Sequence, residues 1–211
     1  MALEATHIRF ALDLKDKYQV RDIKRYVSGS IYPDSRYVTK IDRVLTHPED
    51  FLNEGFTKND DFRKGWQAHL LCDKVQSKVT IELLPSAFEG QMGQGGVVWI
   101  KITALKILQD LDDVKQFPIT EYLECLDYTE NAKGEELDKI KKYYYSIKNL
   151  YQNPSSLSLD SYKELLKLYG ISDDLALKVK NQAEFYARDE NNMQTVLRIY
   201  PEIIVRSNNI L

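Results

Sequence analysis

Apolar residues recur along this chain at the three-and-four spacing that marks one face of a helix, and alternating apolar-polar runs of the kind strands use do not appear. The pattern predicts helices over 3–14, 21–32 and about 58–79, with a turn at SIYPDSR and a loop through His47-Pro48 leading to EDFLN. VVWIKITALKILQDL (97–111) is apolar on nearly every side, as expected of a central helix buried all round. In the last third, Leu137, Ile140, Tyr144, Ile147 and Tyr151 mark one stripe at the helical period. A loop at NPSS follows, then a helix capped by Ser158 or Asp160 and ended by Gly170. Two more helices are expected over 173–188 and 191–206, with Pro201 a kink or break. The fold class is therefore all-α, a multi-helix bundle around a central buried helix. Its simplest division is one domain over 1–211, with the chemistry in 1–80 and a C-terminal set of helices over 134–211.

Length permits two small domains as the alternative. A net charge of −3 gives no global pull towards nucleic acid, and KIKK and the lysines around 163–180 are balanced by acids on the same helices. MALEATHIRFALDL is interrupted by Glu4, His7, Arg9 and Asp13, so it has no apolar leader core. VVWIKITALKIL is broken by two lysines and is too short to span a bilayer. Cys72 and Cys125 are too few for a disulfide framework and fit a reducing, cytoplasmic setting. The glycine-rich EGQMGQGG lacks the order of a phosphate loop and is expected to be a turn or lid between helices.

Candidate chemistry gathers in the first third. The chain has three histidines, His7, His47 and His69, and two aspartates stand beside them. Asp34 follows Pro33, which fixes the backbone just before the carboxylate. Asp73 lies four residues after His69, so the two share a helix face. His47 precedes Pro48, which disfavours helical geometry at His47 and brings it in from a helix start or a loop. Three imidazoles and two carboxylates suit one or two divalent ions, zinc first, with manganese or iron as alternatives. Each residue also has an ordinary reading: a hydrogen-bonded core histidine, a local His69–Asp73 pair, an aspartate closing a turn. Trp66 reads as a pocket wall or as core, and Cys72 as a small buried hydrophobe.

HIRFAL, IYPDSRY, LTH and GWQAHLLCDK, in that order, resemble the ligand series of the zinc-dependent phospholipase C family, related to the S1/P1 nucleases. The resemblance spans residues 5–80. It implies that Asp34, His47, His69 and Asp73 hold one ion, and that Asp73 bridges to a second ion held also by His7. Secreted members of that family complete a third site with an N-terminal Trp and later His and Glu residues; this chain starts with Met and has no histidine after His69. HD-domain phosphohydrolases are the second resemblance, but their adjacent His-Asp doublet is missing.

The expected activity is hydrolysis of a small phosphoester by a metal-activated water, with Asp34 orienting or deprotonating that water and Arg36 neutralising substrate phosphate. Arg36 has the alternative of pairing with a carboxylate. The competing function is a non-catalytic helical binding or scaffold protein that keeps the hydrolase fold. A protein partner would then meet the tyrosines Tyr143, Tyr144, Tyr145 and Tyr151, which serve equally well in a core.

Overall fold

The computed structural model describes residues 2–55 and 59–210, apart from the side chains of Glu49 and Ile210. Among them there is no strand, and the α-helices are α1 (Glu4–Leu14), α2 (Ile23–Ile31), α3 (Arg36–Thr39), α4 (Arg43–Thr46), α5 (Asp61–Leu83), α6 (Val97–Gln116), α7 (Leu137–Tyr151), α8 (Leu159–Leu168), α9 (Asp173–Ala187) and α10 (Glu190–Ile210). The fold is all-α, as the periodicity predicts. The start expected for the fifth helix, Lys58, lies outside the described residues. No helix among the described residues is long and apolar enough to cross a membrane.

The helices form two compact units, each discontinuous in sequence. One takes Met1–Leu3, Cys72–Asp113 and Leu157–Leu211; the other takes Glu4–Leu71 and Val114–Ser156. In the first, the hydroxyl of Tyr162 on α8 donates to buried Asp110 on α6 at 2.6 Å, and Gln76 and Gln109 pair their amides at 2.9 Å. Ser158 caps α8 in a box with Ser161, and Gly170 takes a φ of 84° just past its end. From Val98 to Val114 every residue of α6 is buried or half-buried. α10 runs on through Pro201, so the proline ends nothing. The EGQMGQGG stretch is a turn ahead of α6, closed by Gly96 N–H to Gly93 O at 3.0 Å. Lysines on these helices sit beside acids, Lys167 with Glu164 and Asp173, Lys178 with Asp174 and Lys180 with Asp160.

The second unit carries the candidate chemistry, and glycine sets its tightest contact. α2 and α5 cross at Gly29 and Gly65. A Cβ on Gly65 would lie 2.0 Å from the Tyr26 carbonyl oxygen, and one on Gly29 would lie 2.1 Å from that of Phe62. The two backbones are thus in contact, which only residues lacking a side chain allow. α7 packs its tyrosines inward: Tyr143, Tyr144 and Tyr151 are buried, and the Tyr144 hydroxyl donates to Ser28 O at 2.9 Å. Of the four tyrosines considered for a partner, only Tyr145 is exposed. The stripe drawn from sequence also shifts: Tyr143 is in the core, and Leu137 in the first turn is exposed.

Asp61 ties the entry of α2 to the start of α5. Its Oδ2 accepts the backbone N–H of Arg21 at 3.0 Å and of Asp22 at 2.7 Å, and its Oδ1 takes Lys64 Nζ at 2.8 Å. Burial pushes the carboxyl pKa up, but Lys64 and the two N–H groups together outweigh it and hold the group below its usual 3.8. A depressed carboxylate contributes stability that is complete above the unfolded-chain value and lost as pH falls through the folded one. Acid titration of the unfolding free energy is therefore expected to fall below about pH 3.8 with a contribution that Asp61→Asn removes. An unchanged acid limb in the variant would contradict this.

Candidate metal centre

Four elements of the second unit bring the histidines and Asp34 together. His7 is on the buried face of α1, where Ala5, Ile8, Ala11 and Leu12 make the core contact. Asp34 is in the 3-10 turn Tyr32–Ser35, with Pro33 at its start, and all four residues of that turn are buried. His69 lies one turn beyond Gly65 on α5. His47 is the C-cap of α4, at φ −128° and ψ 56°, the non-helical backbone that Pro48 requires. It therefore arrives from the end of a short helix.

The imidazoles of His7 and His69 stack with centroids 3.7 Å apart and planes 15° from parallel. His47 meets His69 edge-on at 5.3 Å. His7 Nε2 is 4.0 Å from Asp34 Oδ2. One ligand atom from each of His7, Asp34 and His69 lies within 4.8 Å of the others, and all three residues are buried. A zinc ion sits about 2.1 Å from each nitrogen donor, which spaces tetrahedral donors by about 3–4 Å. Donor atoms up to 4.8 Å apart are wider than that spacing, so the three side chains would have to draw together to grip one ion.

His69 is already turned for this role. Its Nδ1 is 2.9 Å from Ser30 O, and a carbonyl only accepts, so Nδ1 carries the proton. In the neutral ring the lone pair is then on Nε2, the arrangement in which a backbone carbonyl sets the tautomer of a metal-ligating histidine. The close approach at Gly29 and Gly65 is what brings Ser30 O to that nitrogen. Beside His47, Thr46 Oγ1 lies 2.9 Å from its Nδ1, and Trp66 Nε1 donates to Thr46 O at 2.6 Å. Trp66 also packs edge-on against Tyr32 and Phe51, at 4.9 and 4.8 Å. It is wall and core together.

Asp73 follows His69 by one turn of α5 and is counted with the other unit. There its Oδ1 accepts the Ala2 backbone N–H at 2.8 Å. Arg36 is half-buried next to the Asp34 turn; its guanidinium lies over the Tyr37 ring at 4.2 Å and donates to the Tyr37 hydroxyl at 2.8 Å. Cys72 is a buried thiol, its pKa raised well above 9.0 by burial first and by Asp73 second, which keeps it in the protonated thiol form.

No known protein family, curated protein or solved structure matches the chain. The chemistry of the centre rests on its own geometry.

One residue of this neighbourhood, Glu4, escaped the sequence pattern. Glu4 is fully buried one helical turn before His7, and its Oε1 accepts the Tyr143 hydroxyl at 2.9 Å. Burial raises the Tyr143 pKa well above 10.0, with the charges of Glu4 and then Asp34 adding to it. Glu-x-x-His on a helix face was the available signal. Tyr143→Phe removes a donor from a buried carboxylate and is expected to destabilise the chain by about 1–3 kcal/mol, measured by denaturant unfolding. No loss would mean that Glu4 is satisfied without it.

Proposed function

We propose that the chain is a metal-dependent phosphoesterase whose ion is held by His7, Asp34 and His69, with His47 as the next donor. The observation that carries this reading is the buried convergence of those three ligand atoms within 4.8 Å. Zinc suits the imidazole-rich set best, with manganese or iron as alternatives. Asp73 enters only on its sequence position, one helical turn from His69. Such an ion lowers the pKa of a coordinated water and offsets charge on a phosphoryl oxygen. With that ion bound, Asp34 would hold or take the proton of the attacking water at its carboxylate, and Arg36 would be the cation for substrate phosphate. A small phosphoester is reached by elimination, since a net charge of −3 gives long nucleic acid no global pull. Buried thiols at Cys72 and Cys125 go with a reducing, cytoplasmic setting.

Metal content of untagged protein, with turnover of a generic phosphodiester alongside, tests the reading. Roughly one divalent ion per chain is expected, with turnover that chelator abolishes. Metal-free protein whose stability and activity ignore both chelator and added zinc would overturn it. Bound metal without turnover would leave the scaffold alternative, a binding protein that keeps the site.

A further inference from the structure

Ahead of α7 the chain runs through residues 128–136 without helix. Glu135 is the one buried residue of this strap, while Tyr128 and Ala132 are only half-buried. Its carboxylate accepts the Tyr32 hydroxyl at Oε1 and the backbone N–H of Lys133 at Oε2, the latter at 3.0 Å. The bend that aims it inward is closed by Asn131 Nδ2 on Glu135 O at 3.2 Å and uses Gly134 at φ 82°. Beside it, Lys133 puts its ammonium 5.4 Å from the centre of the Trp66 ring. A buried leucine would hold such a strap shut, because water offers an apolar group nothing in exchange. A carboxylate regains its hydration on leaving, so this fastening is reversible.

Both fastened residues belong to the walls of the candidate metal centre. Tyr32 opens the 3-10 turn that carries Asp34, and Trp66 holds Thr46 O, one residue before His47. The donor atoms have to draw together to grip one ion. His69 is pinned to Ser30 O at 2.9 Å and His7 stands within α1, so the short turn bearing Asp34 is the part with least to break. Pro33 stiffens that turn, and Tyr32 moves with Asp34. Where the strap holds Tyr32 thus bears on where Asp34 stands.

We propose, on the metal-centre reading above, that residues 128–136 are a regulatory strap: seated on Tyr32 and Trp66 it holds the Asp34 turn and the His47 wall in place for the ion, and released it lets both loosen. Glu135 is then a positioning residue that touches no ion. Coupling of this kind is reciprocal, so the ion also seats the strap.

Hydrogen exchange of the full chain with and without zinc, read by mass spectrometry, and zinc affinity from chelator competition test it together. Zinc is expected to slow exchange over 129–136 by about fivefold or more in the wild type and not in His69→Ala. Glu135→Ala should weaken zinc binding roughly 2- to 30-fold, whereas Glu135→Gln keeps an acceptor for the Tyr32 hydroxyl and should bind nearly as the wild type does. Glu136→Ala, an exposed strap residue paired with Lys139, should change nothing. Lys133→Ala, at an exposed position, leaves the buried contact alone and should weaken zinc in the same direction, which covers a Glu135→Ala chain that does not fold. Circular dichroism confirms folding, and a purely structural role would lower the Tm of Glu135→Ala without moving its zinc affinity. Zinc bound by the wild type, lost in His69→Ala, yet held unchanged by Glu135→Ala and Lys133→Ala, would overturn the strap and leave the centre standing. So would strap exchange indifferent to bound zinc. A wild-type chain without zinc affinity would overturn both.

Discussion

Gly65→Ala is expected to lower stability by about 2–3 kcal/mol, a fall of roughly 5–10 °C in Tm for a chain of this size. The sign is the informative part. In a solvent-facing helix the same change gains about 1 kcal/mol of helix propensity. Here the new methyl would meet the Tyr26 carbonyl oxygen at 2.0 Å and the Ser30 nitrogen at 2.9 Å, and both are backbone atoms that cannot rotate away. α2 and α5 must separate, and Ser30 O then leaves His69 Nδ1, now 2.9 Å distant. The variant should consequently bind metal more weakly as well as unfold sooner. Gly29→Ala makes the reciprocal clash and should behave alike. Gly55→Ala, where a Cβ would meet nothing within 4 Å but φ is 78°, should lose only the roughly 1–2 kcal/mol that a left-handed backbone costs a non-glycine residue. Thermal unfolding of the three variants separates helix contact from propensity; a Gly65→Ala protein as stable as wild type would refute the crossing.

The second large effect is on the ion. His69 is the hub of the cluster, stacked on His7 and edge-on to His47. His69→Ala should reduce zinc affinity by more than the roughly 10- to 100-fold that loss of an outer partner causes, because it removes a ligand outright. Zinc at 100 times its Kd should stabilise the wild-type chain by about 2.7 kcal/mol and the variant hardly at all. Asp34→Asn keeps the shape and removes the charge, so it should retain the fold and lose the ion. Ser30 offers only its backbone oxygen to His69, so Ser30→Ala should leave affinity unchanged. Titration of zinc against unfolding midpoint checks all three. Equal stabilisation of wild type and His69→Ala would place the bound ion elsewhere.

Much of this was legible in the chain, and the residues show why the rest was not. Strong 3.6-residue periodicity marked α2, α7 and α8 because each buries one apolar face. The 3-10 segment Ile119–Asp127 is missed although Ile119, Leu123 and Leu126 are buried at helical spacing, because Pro118 directly before it reads as a stop. Pro201 suggested a break because proline removes one helical hydrogen bond, yet the rest of α10 carries the helix past it. Gly29 and Gly65 look like weak points in a helix; only the distance between two backbones reveals them as the contact. Among the chemistry, the ordered series His7, Asp34, His47 and His69 was visible because histidine is rare here and Pro33 marks the turn. Glu4 was not, because a charged residue near an N-terminus reads as solvated, and its burial depends on Tyr143 from 139 residues away. The tyrosines of α7 were ambiguous for the opposite reason: the ring serves cores and surfaces alike, and only their packing decides.

Anomalous diffraction from crystals of untagged protein, collected on both sides of the zinc edge, addresses the cluster most directly. A peak at bonding distance from a nitrogen of His7, a nitrogen of His69 and the Asp34 carboxylate, present above the edge and lost below it, is the predicted result. Crystals grown with zinc that place no anomalous peak among those three side chains would contradict the metal centre, and the proposed hydrolysis with it.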